Sequence, residues 1–301
     1  MEFLGSFANL VPVTFAQSLL YAFVALGVMI PFRLLNFPDL TSEGAFPLGG
    51  CLCATLIVAG MSPVLATLLA VIGGFAAGCL TAIIHVRFKV NTLLAGILVI
   101  TMLWSIDLRI MGKSNIPLFT VPNLFDMYWR GFTQNIPAQV FLWSVTSVAA
   151  ILLGWWFLRT QVGLAARAVG ANDAMAMAQG VNVRTVTIAG VGAASAFTAF
   201  AGASVAQIQG YADVAMGFGI LINGLAALII GEALIGRNGV LRQVAAPFIG
   251  SVVYYQAISL GLAAGVDPSD LKLVTALFVL ATLALPAARR RMPMAEPKLR
   301  A

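Results

Sequence analysis

The chain is a succession of long apolar runs separated by short polar connections. A helix needs about 20 residues to cross the hydrocarbon core of a bilayer. On that window nine runs qualify, at roughly 10–30, 44–60, 63–84, 92–111, 138–158, 185–206, 218–235, 243–263 and 271–287. Barrel strands alternate polar and apolar positions, and these runs do not. Hydrocarbon offers no partner to an unpaired backbone amide, so unbroken runs of this length are predicted to be helices. The expected fold is all-α: a polytopic transmembrane bundle of about eight to ten helices, one of them broken. No Ser/Gly linker and no loop of soluble-domain size divides the chain, so residues 1–301 read as one membrane domain.

Composition agrees. Hydrophobic residues make up 60% of the chain and charged residues 9%, with a mean hydropathy of +0.97. Soluble domains carry about 25% charged residues, and no soluble fold of this length hides so much apolar surface. The net charge of +6 comes from cations that lie between the apolar runs and are not clustered among aromatics. That is the pattern of membrane topology, not of nucleic-acid binding. Twelve Lys and Arg fall in one set of connections: 85–90, 159–184, 236–242 and the basic tail 288–301. Three, Lys113, Arg130 and Lys272, fall in the opposite set. The bias predicts a cytoplasmic C-terminus and outward loops at 112–137 and 266–270. An odd number of crossings then places the N-terminus outside, unless the 31–43 stretch is a break within the membrane. The N-terminus lacks the basic region of a secretory signal, so the first run is expected to stay as a helix. Cys51, Cys53 and Cys79 all lie inside apolar runs, and Cys51-x-Cys53 is too tight for a zinc pair. They read as small packing residues.

Two polar interruptions stand out. In the first, Pro31 to Gly44, two prolines and a row of polar groups interrupt the apolar sequence. Pro38 disfavours helix at Phe37. Asp39 is a suitable N-cap for a helix starting at Leu40, with Thr41, Ser42 and Glu43 in its first turn. A helix broken at mid-membrane presents a positive dipole end, which transporters aim at anionic groups. The residues alone leave open whether this stretch is such a break or a plain loop. The second interruption, Arg159 to Thr185, is too polar to span. Within it, Ala171 to Gly180 reads as a short helix, capped by Asn172 or Asp173 and stopped by Gly180. Ala174, Met177 and Ala178 share one face by their spacing. Two turns of helix are not stable alone, so this face is expected to dock on a partner, on the membrane or on its own domain.

Other polar positions offer less. Asp107 and Arg109 lie two apart on one run and cannot face each other, so each is expected to pair with another helix, the preferred reading, or to lie near the outer end of its own. Glu232, in Gly231–Gly239, is expected to pair with Arg237 or Arg242. Gly112-Lys113-Ser114 matches the tail of a phosphate-binding loop, but Asp107 stands where that loop needs its first glycine. His85, at a run's end beside Arg87 and Lys89, reads as a membrane-edge residue. No catalytic constellation of known spacing is present.

On these residues the chain resembles the permeases of the bacterial importer group that includes the branched-chain amino acid and ribose ABC permeases. Within that group it is similar to permeases linked to tryptophan/tyrosine-type binding proteins. The likeness runs from about Thr14 to Pro286. It is carried by Leu35–Gly44, by Gly163–Gly180 with Arg167-Ala-Val-Gly-Ala-Asn172, and by the glycine-rich turn in Ile230–Gly250. Asp107-Leu-Arg-Ile-Met-Gly112 also resembles the subgroup, whose members tend to carry asparagine at its first position. Ser42 and Glu43 likewise depart from the subgroup pattern.

The resemblance implies a role for each segment. Residues 172–180 form a coupling helix, with Arg167, Asn172, Asp173, Ala174, Met177, Ala178 and Gly180 contacting the ATPase. Asn36, Asp39, Thr41, Ser42 and Glu43 line the translocation path. The chain holds no cofactor. ATP-Mg is bound by two copies of a cytoplasmic ABC ATPase, an extracytoplasmic solute-binding protein delivers the solute, and a second permease copy completes a homodimer. The implied location is the bacterial inner membrane, and the implied solute is small and amino-acid-like. The competing reading is an ion-coupled secondary transporter using Asp39, Glu43, Asp107 or Glu232. The polar 159–184 segment speaks against it, because such a transporter needs no docking piece.

Overall fold

The computed structural model describes residues 2–265 apart from 120, 122–123, 126–130 and 133–134, with isolated positions at 270, 273, 276, 277 and 280. The run expected at 271–287 therefore lies, save for isolated positions, outside the described residues, as does the basic tail 288–301. The described chain forms α1 (Glu2–Met29), α2 (Ser42–Val58), α3 (Pro63–Phe88), α4 (Thr92–Met111), β1 (Asn115–Pro117), α5 (Ile136–Phe157), α6 (Gln161–Ala171), α7 (Asp173–Ala178), α8 (Val183–Gln209), β2 (Tyr211–Asp213), α9 (Ile220–Ile235) and α10 (Val240–Ala263). Among these residues seven helical segments are long and apolar enough to cross a membrane. The stretch at 44–60, expected to span, is instead the short helix α2 of 17 residues. At 1.5 Å per residue it covers about 25 Å, less than the hydrocarbon core of about 30 Å.

Helix starts follow local chemistry. Asn91, Asn135, Asn172 and Asn182 each cap a helix, their side-chain oxygens accepting from Leu93, Ala138, Met175 and Thr185 N–H. An asparagine cap takes up one of the four N–H groups that a helix start leaves without a partner.

Burial of apolar surface does not drive helix association in lipid, so close packing and small residues must do so. α8 is the centre of this packing and carries a row of small residues against α1, α2 and α3. A Cβ at Gly49 of α2 would fall on the Ala199 carbonyl of α8, and one at Gly202 of α8 would fall on the Phe46 carbonyl of α2. α9 and α10 meet in the same way, Gly231 against Ala246 and Gly250 against Ala227. Larger side chains fill the space between α1, α5, α8 and α10. There Phe23 packs edge-on to Trp143, Phe200 and Phe248.

The two ends of the bundle differ. At one end β1 and β2 pair antiparallel, Ile116 opposite Ala212, in a small ribbon that the apolar pattern did not announce. The start of α1 lies toward this end, where Gln256 of α10 donates to the Val11 carbonyl at 3.1 Å. The other end carries α6, α7 and the α3–α4 and α9–α10 turns. These three cation-bearing connections converge on residues 33–37. Phe37 packs edge-on to His85, Leu34 abuts Gly170, and Arg33 pairs with Glu232.

Candidate functional site

The site grows out of the way α1 ends. Pro31 has no N–H to give, and the helix loosens into one π-turn at Ile30–Leu34, closed by Leu35 N–H on the Ile30 carbonyl at 3.2 Å. Asn36 follows at φ +50°, a left-handed conformation that asparagine tolerates better than most residues. Residues 36–40 are irregular and α2 begins at Ser42. The expected start at Leu40 is realised as a single tight turn, with Glu43 N–H on the Leu40 carbonyl, before regular helix sets in. Asp39 caps that turn: its Oδ1 accepts from Thr41 N–H at 2.9 Å and from the Thr41 hydroxyl. The Thr41 and Thr81 hydroxyls share a hydrogen bond of 2.7 Å, tying the break to α3.

Irregular backbone inside a bundle is tolerated only where protein or a wet cavity surrounds it. Here Asp39, Thr41 and Ser42 are fully buried, Glu43 is half-buried and Asn36 is exposed. Gly44 packs against Ile100 and Leu103, halfway along α4, so α2 begins at mid-depth. α9 also begins there. The chain returns from β2 through a 3₁₀ turn at Val214–Gly217, and Gly219 N–H donates to Glu43 Oε1 at 2.8 Å. Two helix N-termini thus meet near mid-membrane, α2 running toward the ribbon end and α9 toward the other. A carboxylate already sits at each: Asp39 on α2 and Glu43 on α9. The positive dipole end expected to face an anion is occupied from within the chain.

Beside this junction lies a cavity of about 160 Å³ between α2, α4 and the 214–218 turn. Glu43 and Asp107 line it, with Trp104 and Phe218, whose rings are 5.5 Å apart. Asp107 overturns an expectation. It is fully buried, and neither carboxyl oxygen has a hydrogen-bond partner among the described residues. Arg109 is exposed and likewise makes no ion pair there. The interhelical pairs expected for both are absent because α4 turns Asp107 inward to the cavity and Arg109 outward. Sequence reading also passed over Trp104 and Phe218. Trp104 lies three residues before Asp107, on the same helix face, and that spacing was a usable signal. Phe218 carried none, because only the fold brings the 214–218 turn to mid-depth.

A larger cleft of about 530 Å³ opens between α1, α5 and α8. Its side chains are apolar apart from Thr146, whose hydroxyl is spent on the Leu142 and Trp143 carbonyls. It offers little to orient a polar solute.

The second interruption is built as a projecting knuckle. α6 packs on the break: a Cβ at Gly170 would fall on the Leu34 carbonyl, and Ala166 packs with Leu35 and Phe37. α7 follows, capped by Asn172, whose Oδ1 accepts from Met175 N–H at 3.0 Å. It ends in a Schellman motif, with Gly180 at φ +82° and Val181 N–H on the Ala176 carbonyl. Ala176 is buried and anchors the helix. Asn172, Asp173, Ala174, Ala178 and Gly180 are exposed, Arg167 is half-buried, and Met175 and Met177 are 65% and 57% exposed. Gly112 of the apparent phosphate-loop match is the left-handed stop of α4 at φ +66°. Glu232 pairs with Arg237 at 2.8 Å, as expected, but its second partner is Arg33 of the break at 2.7 Å, not Arg242.

Comparison with known proteins places these features. Over 268 residues the chain is 39% identical to the tyrosine transport system permease protein of Clostridioides difficile, covering 89% of this chain and 88% of that one. It is 29% identical to an uncharacterised protein of Rickettsia prowazekii, covering 91% and 97%. It is 26% identical to the ribose import permease protein of Bacillus subtilis, covering 67% and 62%. No solved structure matches the chain. Residues 13–284 match the family described as branched-chain amino acid transport system / permease component. The chain belongs to that family and is a permease subunit of the ABC importer type.

Proposed function

We propose that this permease passes a small amino-acid-like solute, aromatic in character, inward by alternating access, driven by ATPase subunits that grip α6 and α7. In this reading the knuckle end faces the cytoplasm of a bacterial inner membrane. Two copies of the permease and two of the ATPase form the core, and an extracytoplasmic binding protein delivers the solute at the ribbon end. ATP-Mg is held by the partner ATPase. Support for the orientation comes from the cations, which gather at the knuckle end. Support for an amino-acid-like solute comes from the likeness to the tyrosine transport system permease, at higher identity than to the ribose permease.

The observation that carries the reading is the exposed α7 resting, through α6, on the break. Bare Met175 and Met177 on a short helix suit a groove on a partner. Displacement of that helix would be felt at Leu34, next to Asn36, Asp39, Thr41, Ser42 and Glu43, the residues that line the path in this reading. The test is purification of the tagged chain from its own host's membranes. The expected preparation contains a P-loop ATPase and takes up labelled tyrosine into vesicles only with ATP and the binding protein. A chain recovered repeatedly without any ATPase would overturn the reading.

A further inference from the structure

We propose that the mid-membrane cavity between α2, α4 and the 214–218 turn is the subsite for a primary ammonium group, with Asp107 as its counter-charge and Trp104 and Phe218 as its walls. The proposal deepens the importer reading and rests on it for the identity of the solute. Three independent features point the same way.

The first is Asp107 itself. A charged side chain near the centre of a bilayer costs about 2.5–3.5 kcal/mol on the insertion scale, and buried charges are ordinarily paired. Asp107 is fully buried, lines the cavity, and has no hydrogen-bond partner on either oxygen among the described residues. The second is Glu43. It spends one oxygen on Gly219 N–H and lines the same cavity, so it adds negative charge and excludes an anion. The third is the wall. Indole is the strongest cation–π face among the side chains, and Trp104 with Phe218, both partly exposed, lines one side. A hard metal ion would need about six oxygen ligands. Pro47, Ile100 and Val214 give it none from their side chains, and no cluster of three acidic, His or Cys residues occurs among the described residues. The cavity volume is about 160 Å³, well above the minimum that holds one water molecule. It has room for an aminoalkyl head and leaves the rest of a solute in the path.

The experiment uses the full-length permease in lipid nanodiscs with two probes: tyramine, an amine without a carboxylate, and 3-(4-hydroxyphenyl)propionate, a carboxylate without an amine. Binding is read by tryptophan fluorescence and by melting temperature. Tyramine is expected to bind and stabilise the wild type, and the propionate to do neither. Asp107→Asn is expected to weaken tyramine at least about tenfold, while the ligand-free melting temperature holds or rises, because a carboxyl without a partner is removed. A merely structural Asp107 would lower that temperature. Trp104→Leu provides a second variant, again with weakened tyramine. A wild type indifferent to millimolar tyramine, a propionate that binds as well as the amine, or an Asp107→Asn protein with undiminished tyramine affinity overturns the proposal. The isolated permease reads the subsite without any motor. Tyrosine uptake that survives a failed binding assay therefore removes the ammonium site alone and leaves the importer standing. Tyramine binding without ATP-driven uptake supports the site and removes the solute assignment.

Discussion

The break at 30–41 and the knuckle at 161–180 look alike in sequence and end in opposite surroundings. Both interrupt apolar runs with glycine or proline, an Asx residue and a few charges. In the break Asp39, Thr41 and Ser42 are sealed inside the bundle, and Thr41 hydrogen-bonds to both Asp39 Oδ1 and Thr81 of α3. In the knuckle Ala174, Met175 and Met177 face outward, with only Ala176 anchoring α7 inward. These three polar residues are buried and these three apolar ones exposed, the reverse of what hydropathy alone would assign. The difference teaches that a break inside a membrane protein is held by hydrogen bonds within the protein, and that an exposed apolar helix marks a surface on which a partner is to be sought.

The contrast is broken most severely at the point where the two regions touch. Gly170→Val drives a side chain into the Leu34 carbonyl. Overpacking of this kind costs about 1–3 kcal/mol, and solute uptake in vesicles should be abolished although the protein still reaches the membrane. Uptake at wild-type rate would show that α6 and the break move independently. Met177→Asp should leave the melting temperature unchanged, because this side chain is exposed, yet weaken ATPase association at least about tenfold, or 1.4 kcal/mol. Pull-down against purified ATPase measures it. Ala176→Asp should instead lower the melting temperature, because that side chain is buried.

Smaller effects sharpen the description of the break. Asp39→Ala removes the acceptor for the Thr41 N–H and hydroxyl and should cost about 1–2 kcal/mol in detergent unfolding. Asp39→Asn keeps that acceptor and should cost less, and equal losses would mean the cap is not what holds the turn. The smallest change is Glu232→Gln, which loosens Arg33 and Arg237. The Glu232 side chain is 8% exposed, but the two cations left behind are 36% and 60% exposed and stay solvated, so the stability loss should stay at or below about 1 kcal/mol.

The local geometry of the break and of the short helix was legible in the sequence. Two local signals, Pro38 and the Asn172/Gly180 pair, located the break and the short helix, because proline geometry and helix capping act within a few residues. The cavity was not legible. Asp107 was expected to pair with another helix, an inference from the cost of burying charge that is sound in general. It failed here because α4 places the side chain in a space that no cation of the described chain reaches. Glu43 was named for the path, but its role at the start of α9 joins residues 176 positions apart.

The sequence by itself determined that this chain is a bundle of membrane helices, where most helices start and stop, and that one end is basic. All of these follow from interactions within a turn or two of helix and from the uniform demand of a hydrocarbon solvent. Only the tertiary structure decided that α2 and α9 begin face to face at mid-depth, and that Asp107 lies beside them without a partner among the described residues. Those facts depend on which helices lie side by side. In lipid that choice is set by the fit of small residues such as Gly49 and Gly202 against distant backbone, and hydropathy carries no record of it.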